Sequence, residues 1–204
     1  MTLLIVANII FAYLLGSIPS AVWYGKVFHS IDIRQHGSGN AGATNSLRTL
    51  GKKAGVIVLI FDFLKGFLAV YLTSYFIKND IEWEPLFFGI AAVLGHIYPV
   101  FAQFRGGKGV ATAIGVVVAV LPMAALVCVA VFFLTVMLTK YVSLASLLGA
   151  LAFPVQVSLK TWSDISHPNY MGLAWALFFI LVFTHRENIG RLLKGTESKF
   201  GVKK

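Results

Sequence analysis

The sequence predicts an all-α integral membrane protein with seven transmembrane helices, an outside N-terminus and a cytoplasmic C-terminus, folded as a single domain over residues 1–204. The first observation is composition: 58% of the residues are hydrophobic, 12% are charged and the mean hydropathy is +0.82. Soluble domains carry about 25% charged residues, so this chain has too little charge to cover a water-exposed surface. The second observation is a series of apolar stretches of membrane-spanning length, and the third is the one-sided placement of the basic residues between them.

The apolar stretches define the predicted helices in chain order. A helix needs about 20 predominantly apolar residues to cross a bilayer. The first stretch has no basic segment before it and no clean cleavage site after it, so we predict a retained helix rather than a signal peptide. The fourth stretch is too long for one straight helix and carries Pro122 near its middle, where proline kinks or ends a helix. The stretches lie near residues 3–23, 54–77, 85–104, 109–139, 141–160 and 168–184.

Charge placement decides whether residues 109–139 form one kinked helix or two helices joined at Leu121 and Pro122. With two helices, 14 of the 17 Lys and Arg residues lie on one face of the membrane, and only Lys78 and Lys160 lie on the other. With one helix, 8 Lys and Arg residues lie on each face of the membrane. Because basic residues accumulate in cytoplasmic loops, the sequence predicts two helices and therefore seven spans. The same bias accounts for the net charge of +9, so we predict no nucleic-acid partner.

The first polar cluster is rich in glycine, serine and asparagine and occupies residues 36–48. Such a run makes a poor helix interior but a good backbone nest, whose N–H groups and small hydroxyls can surround phosphate oxygens. Arg48 adds a permanently charged guanidinium that can bind the same anion in a bidentate manner. A flexible surface loop has the same composition, so both interpretations stay open from composition alone. The candidate binding residues are Gly37, Ser38, Gly39, Asn40, Thr44, Asn45 and Arg48.

The second polar cluster, residues 104–112, lies where one predicted span ends and the next begins. Gly106, Gly107 and Gly109 bracket Lys108 and precede an apolar helix. A helix N-terminus with unpaired N–H groups and a neighbouring lysine favours an anion. The spacing is not that of a Walker A loop. The alternative is a tight cytoplasmic turn, but such a turn does not require glycine on both sides of a lysine.

The third polar cluster, residues 184–192, follows the last predicted span. If the helix continues, His185 and Asn188 share one face, and Glu187 can pair with Arg191. Histidine titrates near neutrality and can act as a base or as a hydrogen-bond donor. The neighbouring basic residues are interpreted as a juxtamembrane segment that contacts anionic lipid headgroups. They are Arg186, Arg191 and Lys194.

Further polar residues lie within or beside the predicted spans. Ser143 and Ser146 begin the sixth span, where serine either allows close helix packing or contributes to a site. Asp62 and Lys65 are three residues apart at membrane depth, which predicts a structural ion pair. His96 is predicted to be buried and hydrogen-bonded.

All three clusters fall on the same predicted membrane face. A transporter would instead place polar residues near the bilayer midplane, accessible from both sides. Chemistry gathered at one interface indicates an enzyme that uses a lipid-like substrate together with a cytoplasmic anion. A membrane transporter of a small phosphorylated anion is the alternative.

These clusters, with the segments 16–20, 62–66 and 95–99, resemble the bacterial acyl-phosphate:glycerol-3-phosphate acyltransferases essentially from end to end. The resemblance implies a multi-pass enzyme of the bacterial plasma (inner) membrane with its active site facing the cytoplasm. It implies transfer of an acyl chain from acyl phosphate to the 1-hydroxyl of glycerol 3-phosphate. The products would be lysophosphatidic acid and inorganic phosphate, in the first step of phospholipid synthesis.

The family motifs imply catalytic roles for Ser38, Arg48, Lys108, His185 and Asn188. They also imply substrate binding by the glycines of the second cluster and by the two serines of the sixth span. The expected partners are acyl phosphate, glycerol 3-phosphate and membrane lipid, with no cofactor.

Direct attack by the acceptor hydroxyl, without an acyl-enzyme, is expected because the G-x-S-x-G elbow of serine hydrolases is missing. Either His185 or the donor phosphate would accept the hydroxyl proton. The single cysteine, Cys128, and the scattered carboxylates and histidines predict no metal site.

Overall fold

The computed structural model describes residues 2–76, 84–161 and 168–201. Within these ranges every regular element is helical, with ten α-helices and two short 3-10 turns. The predicted all-α class is therefore confirmed for the described part of the chain. The helices form two compact units, Met1–Val120 and Leu121–Lys204, called here the N-terminal unit and the C-terminal unit.

The N-terminal unit begins with an apolar stretch that is broken at Pro19. Helix α1 ends at Gly16 and helix α2 begins at Ser20, so the prediction of one helix over residues 3–23 is wrong. Proline has no N–H for the backbone ladder, and the helix restarts immediately after it. The helices of this unit are α1 (Thr2–Gly16), α2 (Ser20–His29), α3 (Ala43–Leu50), α4 (Lys52–Phe76), α5 (Glu84–Ile97) and α6 (Val110–Val120).

Glycines stand where helices of the N-terminal unit cross most closely. A Cβ at Gly66 on α4 would run into the backbone of Thr112 on α6, and a Cβ at Gly115 on α6 would run into the carbonyl of Phe63. Small residues at a crossing allow two helix backbones to approach, the usual packing device of helices in lipid. The pairing of these two helices therefore depends on glycine from each side.

The C-terminal unit begins at the break predicted near Pro122. Helix α6 ends at Val120 and α7 begins at Pro122, where the missing N–H of a first-turn proline costs no hydrogen bond. The predicted division of residues 109–139 into two helices is confirmed. The helices of this unit are α7 (Pro122–Thr139), α8 (Val142–Ser158), α9 (Pro168–Thr184) and α10 (Arg186–Leu193).

Three helical segments are long and apolar enough to cross a membrane, and four shorter apolar helices accompany them in the described ranges. Large apolar side chains such as Val27, Met137 and Leu138 are more than 70% exposed. Exposed apolar surface on this scale marks a membrane or partner surface rather than a water-facing one. The long segments are Leu3–His29, Lys52–Thr73 and Pro122–Thr139; the shorter ones are Leu86–Ala102, Val110–Val120, Val142–Ser158 and Tyr170–Thr184.

Candidate active site

The first polar cluster is organised by the buried amide of Asn45. Its Nδ2 donates to the carbonyls of Ile33 (3.2 Å) and His36 (2.9 Å), and its Oδ1 accepts from the Ser38 N–H (2.9 Å). Gly37, with φ of 62°, lies against this amide and has no room for a side chain. The predicted substrate-binding residue Asn45 thus shapes the loop from within.

Half of the first cluster is helical rather than a loop. Helix α3 starts at Ala43, because the extended Gly42 before it allows the Ser46 hydroxyl and N–H to bond back to its carbonyl. The prediction of a non-helical run through residue 48 is wrong at this point. Arg48 is exposed on α3 and, within the described residues, forms no ion pair. Its guanidinium is therefore available to an anion.

The exposed side of the loop consists of the predicted residues that precede α3. Gly37, Ser38 and Gly39 are exposed, and Asn40 is half-buried. Gly39 has a φ of 73°, which lets its N–H donate to the His36 carbonyl (3.0 Å). Thr44 is half-buried in the first turn of α3.

The second polar cluster folds back onto the C-terminal end of α5. The Gly106 N–H donates to the Ile97 carbonyl (3.1 Å), and the Gly107 N–H donates to the His96 carbonyl (3.1 Å). The expectation that these two N–H groups are unpaired and face an anion is wrong, because they satisfy helix-terminal carbonyls instead. Gly109, with a φ of 88°, then leads the chain into α6 and places Lys108 one residue before that turn.

The two glycine-rich clusters lie beside each other in the N-terminal unit. A Cβ at Gly107 would come within 2.9 Å of the Ala41 carbonyl oxygen. Arg34 Nη1 also donates to the Ala102 carbonyl at 2.7 Å, and its Nη2 pairs with Asp32 Oδ2 at 2.7 Å. The hydrogen bond from Arg34 lowers the pKa of Asp32 to about 2, so the pair stays charged at neutral pH. The hydrogen bond from Arg34 to Ala102 and the close approach of Gly107 to Ala41 join the two segments.

The predicted ion pair inside α4 is confirmed. Lys65 Nζ lies 2.9 Å from Asp62 Oδ1, and both side chains are buried. His96 is buried as predicted, but the predicted hydrogen bond is not formed at its Nδ1, which lies 3.4 Å from the same carboxylate oxygen.

In the C-terminal unit, His185 marks a break between helices. Helix α9 ends at Thr184 and α10 starts at Arg186, so the condition of a continuous helix, under which His185 and Asn188 would share one face, is not met. The buried His185 Nδ1 lies 2.8 Å from the Leu181 carbonyl. A carbonyl only accepts hydrogen bonds, so Nδ1 carries the proton and Nε2 of the neutral ring is the basic atom.

Glu197 is a polar residue of this unit that the sequence patterns do not single out. Its carboxylate accepts from Asn188 Nδ2 and from Arg191 Nε, each at 2.7 Å. Burial alone would raise the pKa of Glu197, but these hydrogen bonds outweigh it and lower the pKa below 4.5. Glu197 lies beyond the end of α10, so no helical spacing relates it to Asn188. The predicted Glu187–Arg191 pair is also present, at a longer 4.0 Å.

The two predicted serines of α8 are both buried. The Ser146 hydroxyl donates to the Val142 carbonyl at 2.9 Å, one turn earlier in the helix. The Ser143 hydroxyl forms no hydrogen bond among the described residues. The tail that carries Glu197 is held by the Phe200 N–H, which donates to the Lys140 carbonyl (2.7 Å). The structure therefore brings Asn188 and Arg191 to one carboxylate.

Replacing Glu197 with Gln is expected to loosen this network. Glutamine keeps one acceptor for Asn188 but turns an N–H toward Arg191, so we expect the free energy of unfolding at neutral pH to fall by ~1 kcal/mol. Because the folded-state pKa is lowered, the difference between wild type and Glu197→Gln should be complete above about pH 4.5 and should be lost as the pH falls further, through the folded-state pKa. Thermal unfolding of both proteins in detergent at several pH values measures this difference in stability. Glu187→Gln is the control, since Glu187 is 77% exposed, and an equal loss there would contradict the prediction.

Among the described residues, no group of three or more His, Cys, Asp or Glu side chains is placed to hold a metal ion.

Comparison with known proteins finds relatives over nearly the whole chain. The family described as "Glycerol-3-phosphate acyltransferase" matches residues 6–195. The glycerol-3-phosphate acyltransferase of Bacillus cytotoxicus is 48% identical over 191 residues, covering 94% of this chain and 92% of that protein. The Enterococcus faecalis protein of the same name is 45% identical, covering 98% of this chain and 94% of its own length.

Two solved structures of PlsY (YgiH), described as an integral membrane glycerol 3-phosphate acyltransferase, have the same fold. Its glycerol 3-phosphate form superposes with a TM-score of 0.89 at 43% identity, covering 97% of this chain and 96% of that chain. Its lysophosphatidic acid form gives a TM-score of 0.84 at 42% identity, covering 97% and 95%. The similarity therefore includes both sequence and fold.

Proposed function

The chain belongs to the glycerol-3-phosphate acyltransferase family, and from this membership we propose that it acylates the 1-hydroxyl of glycerol 3-phosphate to give lysophosphatidic acid. The family match extends from residue 6 to residue 195 and so includes residues of both units. We accordingly propose that residues 1–204 form one acyltransferase domain. The relative of known structure is described in complexes named for the same substrate and product, which supports this assignment.

The observation that carries the proposal is the placement of two glycine-rich clusters side by side in the N-terminal unit. Gly107 lies against Ala41, and Arg34 joins the same two segments. The exposed guanidinium of Arg48 and the ammonium of Lys108 both belong to this region. Guanidinium and ammonium groups are the usual protein partners of phosphate. Such a region suits a reaction in which an anionic phosphate must be held.

The proposed acyl donor is acyl phosphate. Acyl phosphate is a mixed anhydride, and its phosphate departs readily, so the enzyme need not generate a strong nucleophile. Donor and acceptor then each carry a phosphate, which accounts for more than one basic, glycine-rich cluster. Positioning and electrostatic stabilisation would supply most of the acceleration.

In the proposed mechanism the acceptor hydroxyl attacks the acyl carbon directly. A new carbon–oxygen ester bond forms, the bond from the acyl carbon to the phosphate oxygen breaks, and inorganic phosphate leaves. The hydroxyl proton goes to His185 Nε2 or to the departing phosphate. Arg48 and Lys108 stabilise the charge that develops on phosphate oxygens, while Asn188 and the serines of α8 contribute polar contacts.

Direct attack predicts that no acyl-enzyme accumulates. Purified protein incubated with acyl phosphate alone is expected to keep its unmodified mass in intact-protein mass spectrometry. Ser38, the serine of the first loop, does not lie in the G-x-S-x-G elbow that activates the serine of α/β-hydrolases. A stoichiometric acyl adduct on Ser38 would contradict this mechanism, and Ser38→Ala is the control that would remove such an adduct.

The deciding experiment for the function is a reconstituted assay. Protein in vesicles receives acyl phosphate and labelled glycerol 3-phosphate, and lysophosphatidic acid is expected to form. Acyl-coenzyme A supplied in place of acyl phosphate tests the donor and is expected to give no product. Uptake of label into the vesicles without product would instead favour a transporter of a small phosphorylated anion.

We also propose seven spans, with the N-terminus outside and the active site at the cytoplasmic face of the bacterial inner membrane. The seven apolar helical segments and the one-sided basic residues support this topology. Because Cys128 is the single cysteine, new cysteines can be placed in a Cys128→Ala background. An impermeant maleimide added to intact cells is expected to label Lys160→Cys and not Lys53→Cys. Labelling in the opposite pattern would invert the topology.

A further inference from the structure

A buried polar cluster in the N-terminal unit lies behind the second glycine-rich loop and has no part in the mechanism above. Asp62 Oδ1 accepts from the Ser20 hydroxyl (2.5 Å) and pairs with Lys65 Nζ (2.9 Å). Lys65 also donates to the Ile18 carbonyl (2.8 Å), at the break between α1 and α2. The cluster thus joins α4 to the start of α2.

His96 connects this cluster to the loop. Its Nδ1 lies 3.4 Å from Asp62 Oδ1, and its backbone carbonyl accepts the Gly107 N–H (3.1 Å). On the other edge of the ring, Nε2 fills the space that a side chain at Gly107 would need. The imidazole therefore lies between a buried carboxylate and the residue immediately before Lys108.

A buried ion pair is costly in lipid and adds little net stability compared with apolar side chains of similar size. Its presence directly behind a substrate-binding loop points to a role in placing that loop. Gly107 contacts His96 by both a backbone hydrogen bond and a side-chain edge, so movement of the ring changes the loop.

We propose that His96, beside Asp62, is a positioning residue that sets the second glycine-rich loop and thereby places Lys108 against a substrate phosphate. The inference rests on the proposed function, because it explains the contact between His96 and Gly107 by the need to place the proposed phosphate-binding Lys108. His96 itself touches no substrate. Misplacement of a binding group by about 1 Å can cost as much as 100-fold in rate, so a supporting residue can have a large effect.

The test measures KM for each substrate and kcat in His96→Ala, His96→Asn and His29→Ala. We expect His96→Ala to raise one of the two KM values about tenfold or more. The thermal midpoint of the variant is measured alongside, to establish that the protein is folded. Asparagine retains a donor near the position of Nδ1, so His96→Asn should recover most of that loss. His29 is exposed at the end of α2, and its alanine variant should stay within about twofold of the wild type.

A purely structural role would lower the yield of active enzyme without moving either KM, and that result would overturn the proposal. Failure of His96→Asn to improve on His96→Ala would also overturn it. Ser20→Ala removes one hydroxyl from the same carboxylate and decides the matter where His96→Ala does not fold, because an unchanged KM would count against the proposal. If the wild-type protein itself transfers no acyl group, the proposed function is contradicted, and not the role of His96.

Discussion

Lys108→Ala is expected to lower kcat/KM by about 100- to 1,000-fold, the range seen when one donor to a developing anion is removed. Lys108 has two glycines before it and one after it. Its loop is hydrogen-bonded to the end of α5 and lies beside the first cluster. Because two of the loop amides are used by the carbonyls of His96 and Ile97, more of the interaction with phosphate falls on the lysine itself. Charge on a side chain therefore matters more here than in a site built from backbone N–H groups.

The assay compares Lys108→Ala, Lys108→Arg and Arg48→Lys with Lys53→Ala. Lys53 is an exposed lysine in the first turn of α4 with no proposed role, so its variant should remain within about twofold of the wild type. Arg48→Lys keeps the charge but loses the bidentate fork, so we expect an intermediate loss of about tenfold. Lys108→Ala with wild-type kcat/KM would contradict phosphate binding at this loop.

Helix positions were accessible from sequence because membrane spans have a length and a composition. The break at Pro122 followed from charge placement, and the structure has it between Val120 and Pro122. The similar break at Pro19 was missed because apolar residues continue on both sides of it and no charge count depended on it. Periodicity gave no indication either, since helices apolar all around show no amphipathic face.

The residue types of the site could be predicted from the sequence, but the hydrogen-bond partners of those residues could not. Asn45 was recognised as a polar residue of a phosphate-binding type of loop, yet its amide holds three backbone groups of that loop. The sequence pattern does not single out Glu197, because its segment follows α10 and no helical spacing relates it to its partners Asn188 and Arg191. Contacts of this kind depend on which distant segments pack together in the fold, and local sequence patterns do not specify that.

His185→Ala is expected to lower kcat by about 100- to 10,000-fold, the usual contribution of a general acid or base. The imidazole is buried at the junction of α9 and α10, and the Leu181 carbonyl fixes the proton on Nδ1. Nε2 is then an acceptor in the neutral ring, as both proton abstraction and simple orientation of the acceptor hydroxyl require. These two roles predict different behaviour for substitutions that retain a polar atom.

His185→Gln places an amide near the position of Nε2 but cannot take up a proton. If His185 is the base, His185→Gln should be about as impaired as His185→Ala, and added imidazole should restore part of the activity to the alanine variant. If His185 only orients the hydroxyl, glutamine should recover activity to within about tenfold of wild type, and the proton passes to the donor phosphate. His185→Asn controls for folding, because it can keep the hydrogen bond to Leu181 while lacking an atom at Nε2. Full activity in His185→Ala would remove this residue from the mechanism, and the donor phosphate would then be the remaining acceptor for the proton.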